Sequence, residues 1–138
     1  MRFMVIVKGS KESESGTTPT ADMLKEMGNY NEQLVKAGVM QAGEGLLASS
    51  SGVRVRFDGS KRTVANGPFA GNPGDLVAGF WVWKVKSRDE AIEWLKRAPF
   101  REGEVELRQI AEAEDFGEAY TPEVREQEQR VRRATAKV

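Results

Sequence analysis

Apolar residues fall on both alternations of Arg2–Lys8. Phe3, Val5 and Val7 share one phase and Met4 and Ile6 the other, which predicts a strand with two apolar faces. Gly9–Pro19 is polar and reads as a loop. Thr20 is a plausible N-cap, after which Met23, Leu24, Met27, Tyr30, Leu34 and Val35 recur at helical spacing until Gly38 stops the helix. Val39–Leu47 reads as a second strand. Val53, Val55 and Phe57 then alternate with Arg54 and Arg56, Asp58-Gly59 signals a turn, and Thr63-Val64 returns as the partner strand. A loop over Asn66–Asp75 holds three Gly and two Pro. Leu76–Val85 is the strongest strand, apolar almost throughout. Ser87-Arg88-Asp89-Glu90 reads as a capping box opening a helix through Ile92, Trp94 and Leu95, which Pro99 closes. Glu104–Ile110 alternates as a last strand. Thr121-Pro122 then opens a helix with few large apolar residues, chiefly Val124 and Val131, and with i,i+4 pairs Glu126–Arg130 and Glu128–Arg132.

The order is β-α-β-β-α-β with an inserted hairpin and a C-terminal helix, which predicts an α+β, ferredoxin-like domain. Right-handed crossovers put both internal helices on one face of the sheet. Yet the first strand and Leu76–Val85 are apolar on both faces. The second face therefore needs a cover, either the sheet of a second subunit or the C-terminal helix.

The 138 residues suit one domain with one core. The 21 basic and 21 acidic side chains cancel, so no global field draws the chain to nucleic acid or membrane. There is no Cys, which excludes disulfides, thiolate catalysis and cysteine metal sites. There is no His, which excludes imidazole bases, His-containing triads and His metal clusters. Acid–base work would fall to Asp, Glu, Lys or Tyr. No cofactor or metal site is expected. The start, Met1–Val7, is too short for a secretory signal, and no apolar run approaches the roughly 20 residues that span a bilayer, so a cytoplasmic location is expected.

Several residues could carry chemistry. Gly43-Glu44-Gly45-Leu46-Leu47-Ala48 fits G-x-G-x-x-A only formally, because it follows a helix and lies in a strand. Trp81 and Trp83 share a strand face, and buried core or dimer interface explains them better than a stacking platform. Arg54 and Arg56 could hold an anion or simply be solvated. Glu106 and Arg108 share a face, as cleft residues or as a weak surface ion pair. Glu44, isolated among glycines, is an accessible acid or base, or a plain surface carboxylate. In Asn66-Gly67-Pro68-Phe69, Asn66 can cap the turn, Pro68 stiffens it and Phe69 can anchor it in the core.

Val64-Ala65-Asn66-Gly67-Pro68-Phe69, then Gly79-Phe80, then Asp89-Glu90-Ala91-Ile92-Glu93-Trp94, then Glu104-Val105-Glu106-Leu107-Arg108 resemble, in order and spacing, the YCII-related family in its DGPF branch. Ala37-Gly38-Val39, Gly43-Glu44-Gly45-Leu46 and the tail Glu114–Glu123 fit as well. The resemblance implies a ferredoxin-like domain over residues 1–112 that dimerises into an α/β barrel-like assembly, with a pocket near the subunit junction, and an extension over 113–138 carrying the charged helix. Some relatives act on muconolactone-type ring acids, and others sit beside transcription regulators of the extracytoplasmic sigma-factor type. Asn66 stands where the family motif has Asp, so an amide replaces a carboxylate and no general base remains there. The His-Asp pair of some relatives has no counterpart here.

Together these readings lead to a homodimer binding a small anionic ring compound. Arg108 would hold a carboxylate, Glu44 or Glu106 would transfer a proton, and Asn66 and Phe69 would complete the ligand contacts. The alternative is a non-enzymatic interaction or regulatory subunit linked to transcription control.

Overall fold

The computed structural model describes residues 1–136; Lys137 and Val138, the end of the expected 113–138 extension, lie outside the described residues. Six strands form two antiparallel sheets. β1 (Arg2–Lys8), β2 (Met40–Gly45), β5 (Val77–Lys84) and β6 (Val105–Gln109) make a four-stranded sheet in the order β2-β5-β1-β6. β3 (Val53–Asp58) and β4 (Lys61–Asn66) make a separate ribbon. The helices are α1 (Lys11–Glu14), α2 (Ala21–Lys36), α3 (Arg88–Lys96) and α4 (Pro122–Ala136). The β-α-β-β-α-β order with β5 and β1 central is the ferredoxin-like topology predicted from the pattern.

Register decides which side chains share a face. Phe3 lies opposite Trp83 and Val5 opposite Trp81 and Leu107, so these residues point together toward α2 and α3. They form the core with Tyr30, Leu34, Val39, Val85 and Ala91. Trp81 and Trp83 are core residues. The alternate residues Met4, Ile6, Phe80 and Val82 occupy the other face and are half-buried. No helix of the described chain is long and apolar enough to cross a membrane.

The helix ends follow local chemistry. Thr20 Oγ1 accepts a hydrogen bond from Met23 N (3.2 Å) and caps α2. At the other end Gly38 takes φ +73°, and Val39 N donates to Leu34 O (2.9 Å), a Schellman closure that a side chain at 38 would strain. Tyr30 Oη donates to Trp94 O (2.6 Å) and ties α2 to α3; burial raises its pKa. Thr121 Oγ1 caps α4, accepting from Val124 N (3.3 Å), and the pairs Glu126–Arg130 and Glu128–Arg132 form at 3.6 and 2.8 Å.

Four expectations need correction. The polar loop contains α1, capped by Ser10, whose hydroxyl accepts from Ser13 N. The capping box of α3 is half made. Ser87 Oγ accepts from Glu90 N (3.1 Å), but the Glu90 carboxylate accepts from Lys86 N rather than closing back on Ser87. Phe69 is half-buried and stands outside the core, packed beside Gly52 with the Arg54 guanidinium over its ring (3.9 Å). The Asn66 side-chain amide makes no hydrogen bond among the described residues, so it caps no turn there.

Candidate functional site

A cleft of about 230 Å³ opens between α2 and the β2 side of the sheet. Its floor is made by missing side chains. Gly45 lies opposite Gly79 across the β2–β5 ladder, and Gly43 opposite Trp81. A Cβ on Gly43 would come within 2.6 Å of Trp81 Cδ1, and one on Gly79 within 3.0 Å of Glu44 O. Gly43 therefore requires glycine for close approach, and a side chain at 79 would fit only if β2 gave way by a few tenths of an ångström. Gly45 differs, because a Cβ there meets nothing within 4 Å.

The walls are Val7, Met27, Asn31, Trp81 and Phe100. Trp81 meets Tyr30 and Phe100 edge-on, at ring-centroid distances of 5.8 and 6.1 Å. Its Nε1 donates to Asn31 Oδ1 (2.9 Å), which fixes the orientation of the amide. Asn31 Nδ2 has no partner among the described residues and is left to donate to a ligand. No Lys or Arg lines the cleft. The cleft is thus apolar and aromatic, with one oriented amide donor.

The sequence candidates are distributed over three places. Glu44 borders the cleft, yet it lies opposite Phe80, whose side chain belongs to the face away from the helices. Its main chain therefore borders the cleft, and its carboxylate belongs to the far face. Glu106 lies opposite Ile6, and Arg108 opposite Met4, on that same far face. Arg108 Nη1 sits 3.1 Å from Glu106 and Lys8 Nζ 3.6 Å from it. The Arg108 hydrogen bond, with help from Lys8, holds the Glu106 carboxyl below its ordinary range, which suits a resting anion rather than a proton donor. Glu44 and Glu106 lie on the two edge strands, three strand spacings or roughly 14 Å apart, too far to act as a carboxylate pair in one chain.

Asn66 and Phe69 lie at the root of the β3–β4 ribbon. Here Ser49 is a hub. Its N–H and hydroxyl donate to the two Glu14 carboxylate oxygens (3.0 and 2.5 Å), and its Oγ accepts from Phe69 N (3.0 Å). Three segments distant in sequence are thereby joined. Asn66 and Phe69 belong to the ribbon root and Glu44, Glu106 and Arg108 to the far face of the four-stranded sheet, so the five candidates do not share one place within the chain.

The model of the YCII-related domain matches residues 1–114. The chain belongs to the YCII-related family. No curated protein matches it. Among solved structures it is similar to 5-chloro-2-hydroxyhydroquinone dehydrochlorinase from Burkholderia phenoliruptrix, in complex with 2,5-dihydroxybenzoquinone. That similarity is at 15% identity with a TM-score of 0.48, over 83% of this chain and 98% of that one.

In this YCII-related chain the groups that build the cleft are Asn31, Trp81, Gly43, Gly45 and Gly79; sequence alone reads Trp81 as core or interface rather than a stacking platform and Gly43 and Gly45 as a formal glycine motif, and it gives Asn31 and Gly79 no site reading. Asn31 offers no signal beyond being a polar residue beside Tyr30 in an amphipathic helix. The glycines were visible, but only the ladder register shows that two of them meet.

Proposed function

We propose that the chain binds a small, flat, uncharged ring compound in the cleft between α2 and the sheet, and that it does so as a homodimer of the DGPF branch. The observation that carries the ligand reading is the glycine floor beneath an aromatic wall with the oriented amide of Asn31. Buried single rings fit cavities of about 150 Å³, and drug-sized ligands need about 300–1,000 Å³. A cleft of about 230 Å³ suits one ring. Because no cation lines it, an uncharged ring replaces the anionic one that Arg108 suggested. The cleft's side chains supply stacking and a hydrogen-bond donor. They supply no acid–base pair, so binding is the function the geometry supports best.

The dimer reading rests on the far face of the sheet. Met4, Ile6, Phe80 and Val82 form its apolar centre, and Glu44, Glu106 and Arg108 lie at its edges. An apolar centre with a polar rim is the anatomy of a subunit interface. One observation favours a second reading, an interaction subunit: α4 buries none of its described residues. The proposed extension from residue 113 would then be the binding element, and truncation at 120 would abolish partner capture while leaving ligand binding intact.

Thermal unfolding with a panel of phenols, quinones, lactones and matched carboxylates tests the ligand reading. A ligand at about 100 times its dissociation constant stabilises the native state by about 2.7 kcal/mol. Uncharged rings should raise Tm and change the tryptophan emission. Gly45→Val, which fills open space, should abolish both effects while leaving Tm in the absence of ligand near that of the wild type. Stabilisation by the carboxylates alone, lost in Arg108→Ala and kept in Gly45→Val, would move the site to the far face.

A further inference from the structure

Every residue of the β3–β4 ribbon, from Val53 to Asn66, is exposed. Within the chain its two strands pack on each other and on no other strand or helix to a comparable extent. A lone two-stranded ribbon is marginally stable in water. By register, Val53, Val55, Phe57 and Val64 share one face, with Phe57 68% exposed and Val64 63% exposed. Arg62 shares that face and lies over the Phe57 ring (4.6 Å). The ribbon carries four basic side chains, Arg54, Arg56, Lys61 and Arg62, against one acidic, Asp58. None of the four is in an ion pair among the described residues. Both strands are edges, so Arg56 and Lys61 on the opposite face can reach round the rim.

The segment Glu112–Glu123 is the counterpart. It holds five acidic residues and no basic one. Glu112 pairs with Arg2 (3.1 Å), while Glu114, Asp115, Glu118 and Glu123 have no ion pair among the described residues. Phe116 stands among them, 53% exposed and stacked on Tyr120. One surface is basic and apolar, the other acidic and aromatic, and within a chain the two share no extensive packing among the described residues.

We propose that the β3–β4 ribbon of one copy docks on the Glu112–Glu123 segment of a second copy, and the reverse. This rests on the homodimer reading and adds a contact to it. The arrangement is self-complementary, as a two-fold dimer requires. The ribbon is about 20 Å long and about 10 Å wide, so one face offers roughly 200 Å². Reciprocal exchange gives each partner roughly 400 Å², half of the approximately 800 Å² of a standard interface. The arms therefore extend the interface made by the far face of the sheet and do not replace it.

Sedimentation equilibrium on two variants tests this, Arg56→Glu/Arg62→Glu and Glu114→Lys/Glu118→Lys. All four positions are exposed. Each variant alone should self-associate about tenfold or more weakly than the wild type, with the gap narrowing in high salt. Mixing them in equal amounts should restore wild-type association, because each arm then meets a segment of opposite charge. Such rescue requires folded chains and contact between copies. A wild-type dimer that neither variant weakens would overturn the arm exchange and leave the sheet-face dimer standing. A monomeric wild type would overturn both. Weakening without rescue on mixing, or duplex DNA retained by the wild type and lost in Arg56→Glu/Arg62→Glu at unchanged dimerisation, would also overturn the exchange.

Discussion

Trp83→Ala is expected to lower stability by about 3–5 kcal/mol, the cost of emptying a large aromatic site in a packed core. Trp83 is 0% exposed, lies opposite Phe3 on the central strand pair, and tilts against Trp81 at 5.8 Å. A loss of that size is roughly a fifth or more of the total stability of a typical domain. Urea unfolding followed by far-UV circular dichroism measures it. Trp83→Phe sharpens the expectation. The buried indole Nε1 has no hydrogen-bond partner among the described residues. A buried donor left unmade costs about 1–3 kcal/mol, so removing it offsets part of the lost packing. Trp83→Phe should therefore cost well under half of Trp83→Ala. Equal losses would show that the indole N–H has a partner in solution, such as a buried water.

Gly67→Ala should be nearly as severe, for a different reason. A Cβ at position 67 would lie 1.7 Å from Ser49 O and 3.2 Å from Gly52 O. No rotamer relieves a clash with main chain, so the two segments must part. Ser49 is the acceptor for Phe69 N and the donor to both Glu14 oxygens, and Gly67 N itself donates to Gly52 O (2.8 Å). Separation breaks several of these bonds together. A loss of about 3 kcal/mol or more is expected, with faster proteolytic cleavage in residues 9–19 and 66–75 than in the four-stranded sheet. A Gly67→Ala protein with wild-type Tm and wild-type cleavage would mean that Ser49 is not held against the ribbon root. Gly45→Val is the control, a glycine substitution facing open space.

The elements were legible because their patterns are strong. Apolar runs marked β1 and β5, alternation marked β3 and β6, and caps at Thr20, Ser87 and Thr121 marked helix starts within a residue. α1 was missed because Lys-Glu-Ser-Glu has no apolar residue to create a period, and its Ser10 cap is a purely local signal. The two-faced character of β1 and β5 was legible, but which face meets the helices shows only in the ladder register and the packing. The site was not legible. Its cleft is defined by absent side chains at Gly43, Gly45 and Gly79, which meet only through strands distant in sequence. Charged residues drew attention instead, and register puts Glu44, Glu106 and Arg108 on the opposite face. A side chain's face depends on the pairing of β2 with β5, where an irregularity between Met40 and Ala42 shifts the phase. Nothing local encodes that shift.

The strand order also has a consequence for synthesis. β1 emerges first, yet it pairs only with β5 and β6, so none of its main-chain groups finds its ladder partner until residues 77–84 and then 105–109 follow. At about 5–20 residues per second, the nascent chain carries an unpaired apolar strand for roughly 4–15 s. The ribbon closes within microseconds by contrast, since its strands are joined by two residues. The central sheet is therefore a late, long-range event, closed only after the ribbon between β2 and β5 has already formed.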